Sequence, residues 1–329
     1  MHKIDTKNLN IRTDLVIEQD TFTPTTKETI NNVNIIKTID KDNVYITLEF
    51  DDITDYEERE NVGSVLENEI KKLLVHENIK DTDEVLIVGL GNRMSTPDAL
   101  GPKTIDDIVI TRHLYELNLD VKKGMRSVSA LSFGVLGSTG IETTDIIKGV
   151  IEKIKPKLLI AIDSLCARNV ERLNKTIQLT NTGIHPGSGI GNYRKELTKK
   201  SLSIPVIALG VPTVVTSSTI VSDTIDYLFM HINYIKNNYE TNKLVVKRFN
   251  NYLNKIKENK IDQKEKEYLG GILGSLSDQD KYNLINEVLN SINYNLIVTP
   301  KEVDFLIEKL SNVISSSLNN ALHKEIDNY

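Results

Sequence analysis

Apolar residues along this chain fall into two patterns. Short continuous runs, VLIV at 85–88 and LLIAI at 158–162, read as buried strands. The positions Val62, Val65, Leu66, Ile70, Leu73 and Leu74 recur at helical spacing and predict an amphipathic helix over Glu57 to Val75. The alternation continues downstream with a helix expected over Thr104 to Leu117 and a strand over Val128 to Leu131. In GSTGIETTDIIKGVIEKIKP the pattern gives a loop and then a helix, with Thr143 or Thr144 as N-cap and Pro156 beyond the end. A short helical stretch is expected after Asp163, then TIQLTNTG as a strand leading into the glycine-rich HPGSGIGN. SIPVIALGVPTVV is read as a strand and loop, and Ser222 to Ile235 as a helix. Strands and helices in this order predict an α/β fold with a mostly parallel, doubly wound sheet.

The two ends read differently. Residues 1–34 are polar and aperiodic, an extended arm, and Asn34 to Phe50 folds as a hairpin about DKDN at a sheet edge. Past about residue 237 the composition turns to Lys, Asn and Glu, with KIKENKIDQKEKE as a linker or solvated helix. The C-terminal part is helical. Ser277 is placed to cap LSDQDKYNLINEVLN, and in TPKEVDF Thr299 is the cap, Pro300 the first helical position and Glu302 the partner completing a capping box.

Composition narrows the function. The chain has 329 residues, 39% of them hydrophobic, enough for a real core, and a net charge of −6 that argues against tracking phosphates on nucleic acid. A single cysteine, Cys166, allows neither an internal disulfide nor a cysteine-rich zinc site. The N-terminus has no apolar signal region and no run approaches a membrane span, so a cytosolic protein with no membrane partner is expected.

Two acids stand out. Asp98, in GLGNRMSTPDALGPK, and Asp163, in LLIAIDSLCAR, each follow a strand-like run, and such strands deliver their ends to one edge of an open sheet. Two carboxylates held close share a proton, because like charges cannot both ionise cheaply, and such a pair can activate water. Turn chemistry accounts equally well for Asp98 taken alone, in Thr-Pro-Asp, whereas a carboxylate straight after four apolar residues needs partners. The loop GLGN fails the dinucleotide fingerprint, since Met94 stands where glycine is required. His185 is a candidate third group or metal ligand. Glu142 and Asp145 suit a helix start, and the hydroxyls of PTVVTSSTIVSDT lack any nucleophile motif.

Taken together, GLGN with TPDALGPK, TRHL, GIETTDII, IAIDSLCAR, NTGIHPGSGIGN, RKEL, IPVIALGVPTVV, SDTIDY, VTPKEVD and LNNALH resemble the germination proteases of spore-forming bacteria, from IRTDL to ALHKE. The resemblance implies a fold similar to hydrogenase maturation proteases and an aspartic-type endopeptidase that degrades small acid-soluble spore proteins. It further implies a zymogen that removes its own propeptide, a homotetramer, and a place in the forespore or spore core, with no cofactor or metal. The essential aspartates fall on Asp98 and Asp163, and the propeptide junction, acidic then aliphatic, falls between Asp14 and Leu15, with Val16 where alanine is common. The implied division is a propeptide over 1–14, a catalytic domain over 15–245, and a linker with a helical region over 246–329.

An acid-reading pocket calls for a cation, and Arg168 or Arg112 is available, while Arg12 is placed to hold the propeptide. Three other readings compete. They are a metal-directed protease like those that mature hydrogenases, a peptidyl-tRNA hydrolase, and a non-enzymatic tetrameric binding module. The long N-terminal arm and helical C-terminus speak against the first, and Arg93, Met94 and the acidic charge against the second.

Overall fold

A computed structural model describes residues 14–18, 24–186, 195–238 and 261–324. Arg12, the glycine-rich stretch 187–194 and the first part of the charged run before Tyr268, residues 255–260, lie outside the described residues. The strands are β1 Thr26–Ile30, β2 Val33–Asp40, β3 Asn43–Glu49, β4 Val85–Gly89, β5 Val128–Ser132, β6 Leu158–Ala167, β7 Thr176–Thr180, β8 Val206–Thr216 and β9 Ile297–Val298. They form one sheet in the order β1-β2-β3-β7-β8-β6-β4-β5, with β9 on β8.

The central strands are mostly parallel. β4 pairs in parallel with β5 and β6, and β6 and β8 begin side by side where Leu159 N donates to Pro205 O at 3.0 Å. The other half is antiparallel, from β1 through β2, β3 and β7 to β8. The expected hairpin is β2–β3, but it does not form the edge. β1 does, added through a turn in which Asn31 and Asn32 both take left-handed backbone. Every residue of β1 is exposed, which is why no burial pattern announced it.

Helices cover both faces, as a doubly wound sheet requires. Val85 and Ile87 of β4 and Ile160 of β6 face one core, shared with Val62, Leu66, Ile70 and Leu73 of helix α1 (Tyr56–His76) and with Ile307, Leu310 and Ile314 of the C-terminal helix Val303–Leu322. Leu86, Val88 and Leu159 face a second core. Burial on both faces explains why these strands read as unbroken apolar runs. Asp55 caps α1 by accepting from Glu58 N at 2.9 Å.

The expected helix over 104–117 is instead two short ones, α2 (Leu100–Asp106) and α3 (Arg112–Glu116). The break falls where Thr111 N donates to Val128 O and its hydroxyl bonds Arg126 O, fastening the chain to β5. After helix α4 (Leu136–Thr139) comes α5 (Thr143–Ile154), whose N-cap is Glu142, while Thr144 Oγ1 donates to Lys195 O. Ile147 and Ile151 of α5 and Leu202 of helix α6 (Lys199–Leu202) line the second core. β6 runs on to Ala167, so Asp163 lies within the strand, and the short helical stretch expected after it is the 3-10 turn Val170–Arg172, which precedes β7. The box expected at Thr299 and Glu302 does not form either. Glu302 is itself the N-cap and Thr299 Oγ1 donates to Thr213 O at 2.8 Å.

The chain divides into two compact units. One comprises Arg168–Val170 and Val215–Val298, and the other holds the remaining described residues. In the smaller unit helix α7 (Ser217–Asn238) is followed by helices Gln263–Gly270, Ile272–Ser275 and Asp278–Ser291, the last capped by Ser277 as expected. Its interior carries an ion pair, in which buried Lys281 donates to both oxygens of Asp226 at 2.6 Å. Among the described residues no helix is long and apolar enough to cross a membrane.

Candidate active site

The site is built where β4 stops and β6 continues. Gly89 pairs with Ile162, and Leu90 N still donates to Ile162 O at 2.8 Å, so Asp163 is the next residue of β6 beside the GLGN turn. That turn folds back on itself. Asn92 N donates to Asp98 O at 2.9 Å, Asn92 Oδ1 accepts from Met94 N at 3.0 Å, and Asp98 N donates to Ser95 O at 2.8 Å, closing a 3-10 turn over Thr96–Asp98.

Glycines let this loop lie on the strand ends. Gly91 has φ +109°, and a Cβ there would stand 2.1 Å from Asp98 O and 2.9 Å from its Oδ1. The Asp98 carboxylate therefore lies directly over Gly91. A Cβ on Gly101 would meet Leu90 O at 2.3 Å and Ile162 O at 2.7 Å, so the start of α2 packs on the same junction. Two polar contacts fasten the loop from outside. Fully buried Thr213 donates to Pro97 O at 2.7 Å, and Arg93 reaches both oxygens of Asp106 and Pro102 O.

Asp163 is 6% exposed and its Oδ1 accepts from Ser164 N at 2.9 Å, while Asp98 is half-buried. A carboxylate so deep and another at the rim occupy one sheet edge, the place where open α/β folds put their chemistry. Among the described residues no group of three His, Cys, Asp or Glu is gathered to hold a metal ion. His185 accordingly does not join the two aspartates in a ligand set. It is largely exposed, 3.8 Å from Glu196. Arg168 directly follows β6 and is partly buried. Arg112 does not serve this edge. It pairs with Glu84 and Glu116 at the opposite, amino end of β4.

The segment holding Asp14 and Leu15 is bound to the same strand. Asp14 N donates to Cys166 O at 3.1 Å, and the Cys166 N–H donates to Asp14 Oδ2 at 2.9 Å. Gln178 of β7 straddles the next peptide bond, its Nε2 donating to Asp14 O at 3.2 Å and its Oε1 accepting from Val16 N at 2.7 Å. Leu15 has no exposed surface, and Glu18, in the 3-10 turn Val16–Glu18, pairs with Arg172 at 3.4 Å. Burial, with the Asp14 and Glu18 carboxylates nearby, pushes the Cys166 thiol up to about 12. A thiol so held is no nucleophile near neutral pH. Sequence reasoning missed Gln178 and the Cys166 amide, since a glutamine in a strand and a main-chain N–H carry no motif.

A doubly wound α/β sheet with two carboxylates at one edge of its central strands has the architecture of open α/β enzymes, which place their sites at that edge. The model for the germination protease family, peptidase A25, matches residues 6–329. The germination protease of Bacillus subtilis is 48% identical over 292 residues, covering 87% of this chain and 79% of its own length. That of Bacillus cereus is 46% identical over 309 residues, covering 92% and 84%. The chain belongs to the germination protease family and is an endopeptidase.

Proposed function

We propose that this endopeptidase degrades small acid-soluble spore proteins during germination. It is made as a zymogen, removes residues 1–14 itself by cutting between Asp14 and Leu15, and works as a homotetramer in the spore interior. Asp98 and Asp163 act as one proton-sharing pair. The ionised member takes a proton from water, whose oxygen attacks the scissile carbonyl carbon. The protonated member polarises the carbonyl oxygen, and as the C–N bond breaks a proton passes to the leaving nitrogen. No covalent intermediate is required.

The observation that carries this reading is the register of β4 and β6, which sets Asp163 beside the turn on which the Asp98 carboxylate rests. The occupied acidic–aliphatic segment on β6 supports the junction. The test is intact mass after incubating the full-length chain at mildly acidic pH and low water activity, with Asp98→Asn and Asp163→Asn alongside. The wild type loses residues 1–14 and both variants stay whole. Substantial turnover by either variant would sink the pair.

A further inference from the structure

The turn that carries Asp98 has bonds that shape it and others that place it. Asp98 N to Ser95 O and Met94 N to Asn92 Oδ1 fix how it folds without fixing where it lies over the sheet. Asn92 N reaches Asp98 O from the end of β4, and Arg93 pairs with Asp106, but that ion pair is about half exposed on both sides and is screened by solvent. The remaining tie is the bond from Thr213 Oγ1 to Pro97 O at 2.7 Å, one residue before Asp98 and 116 positions apart in the chain. Threonine is an unexpected residue there. Alternation along β8 puts it on the face of Leu209 and Val211, in the core shared with the C-terminal helix, and it has no exposed surface. Valine has the same shape, recurs in this strand as Val211, Val214 and Val215, and would fill the place without burying a hydroxyl. What valine cannot do is donate to Pro97 O. Thr213 is itself held, since its own carbonyl accepts from Thr299 Oγ1 at 2.8 Å. The tie therefore starts from a fixed point of β8, and β8 is the neighbour of β6, the strand of Asp163.

We infer that Thr213 is a positioning residue for the reaction, its hydroxyl setting where Asp98 stands relative to Asp163. The inference rests on the reading that these two aspartates work as a pair. Proton sharing demands a short and constant separation, because the coupling between like charges falls as they part. The two acids arrive on separate segments, so their separation needs a reference common to both. The sheet supplies it: Asp163 is part of β6, and Pro97 is pinned through one O–H···O bond to the adjacent strand. A displacement of about 1 Å at reacting groups costs roughly 100-fold in rate, so a bond one residue from Asp98 affects the reaction more than its own strength suggests. Thr213 acts through Pro97 on Asp98 and transfers no proton itself.

The test uses the full-length chain with Thr213→Val, which keeps the shape and loses the donor, and Thr213→Ser, which keeps the donor and loses the methyl. Loss of residues 1–14 is followed by intact mass, well below the unfolding midpoint, beside Asp98→Asn and Asp163→Asn. Thr213→Val slows it by about 10–100-fold, between the effect of one hydrogen bond and that of a fully displaced acid. Thr213→Ser retains the hydroxyl donor and stays within about 3-fold of the wild type. Both substitutions lower the midpoint of chemical denaturation, one for a lost bond and the other for a lost methyl, so a merely structural role would slow the two alike. A second readout does not depend on cleavage. The Asn92 N–H spans from the end of β4 to Asp98 O, so its hydrogen exchange rises about 10-fold in Thr213→Val and stays at the wild-type rate in Thr213→Ser. Equal slowing in both Thr213 variants overturns the positioning role. Unchanged processing in Thr213→Val, with Asp98→Asn and Asp163→Asn inactive, overturns it too and leaves the carboxylate pair standing. Cleavage by either aspartate variant, or a wild type that stays whole, counts against the reading of the pair or of self-cleavage, and unchanged exchange at Asn92 in Thr213→Val then overturns the placing of the turn by Thr213.

Discussion

Replacing Gly91 by alanine is the sharpest probe of how the Asp98 loop is held. The new methyl would stand 2.1 Å from Asp98 O and 2.9 Å from Asp98 Oδ1, and both obstacles belong to the residue whose position matters. Contacts under 3.0 Å are essentially never seen, so the loop must retreat by about 1 Å. The backbone at φ +109° adds strain of at least about 1 kcal/mol for any residue with a Cβ. A displacement of about 1 Å at reacting groups costs roughly 100-fold in rate, or about 2.7 kcal/mol of barrier. Stability should fall by only about 1–3 kcal/mol, since the loop lies at the surface end of an otherwise intact sheet. The assay is the rate of loss of residues 1–14 by intact mass, well below the unfolding midpoint, with a thermal melt to verify folding. Gly149→Ala is the control. Nothing lies within 4 Å of its would-be Cβ in the middle of α5, so it leaves the rate alone and stabilises by about 0.5–1 kcal/mol. A folded Gly91→Ala chain that processes at the wild-type rate would refute the claim that the Asp98 carboxylate works from its seat on Gly91.

Three further outcomes follow from buried groups. Asp226→Ala leaves the buried Lys281 ammonium only its 3.4 Å contact with exposed Asp278 and should cost about 3 kcal/mol in chemical denaturation, whereas the double change with Lys281→Met recovers most of it; equal losses would deny the pairing. Burial first, and then the Arg126 charge, holds the His323 imidazole below its ordinary 6.5, with Nδ1 accepting from Arg126 N. Its contribution is therefore fully present above pH 6.5 and is lost as pH falls through that value toward the lowered one, so melts from pH 7.5 to 5 should decline less steeply in His323→Gln. The Cys166 thiol, pushed up to about 12, should resist alkylation at pH 8 and react faster in the Asp14→Asn, Glu18→Gln double variant; equal rates by mass spectrometry would show that those charges do not face it.

The readable parts of the sequence were those where one residue type had one physical reason to be present. VLIV and LLIAI are apolar throughout because β4 and β6 are covered on both faces, and that placed Asp98 and Asp163 just after strand-like runs. Every apolar position chosen for α1 is buried. Where a residue had two uses, sequence reading chose the local one. Thr299 looked like a cap but its hydroxyl goes to β8, and Thr144 looked like a cap but bonds Lys195 O. β1 escaped because an exposed edge strand buries nothing, and the helix over 104–117 was overdrawn because the ties of Thr111 to β5 are tertiary.

The least readable feature was the seat of Asp14 and Leu15 on β6. Arginine is the residue sequence reasoning reaches for to read an acid, and Arg112 proved to be committed to Glu84 and Glu116 at the far edge. The Asp14 carboxylate accepts from the main-chain N–H of Cys166, a donor that every residue but proline supplies, and the Asp14 carbonyl accepts from the uncharged Gln178 amide. Neither donor has a sequence signature, because what selects them is the register in which residues 14–16 lie against β6 and β7, and that register is set by tertiary packing around the buried Leu15.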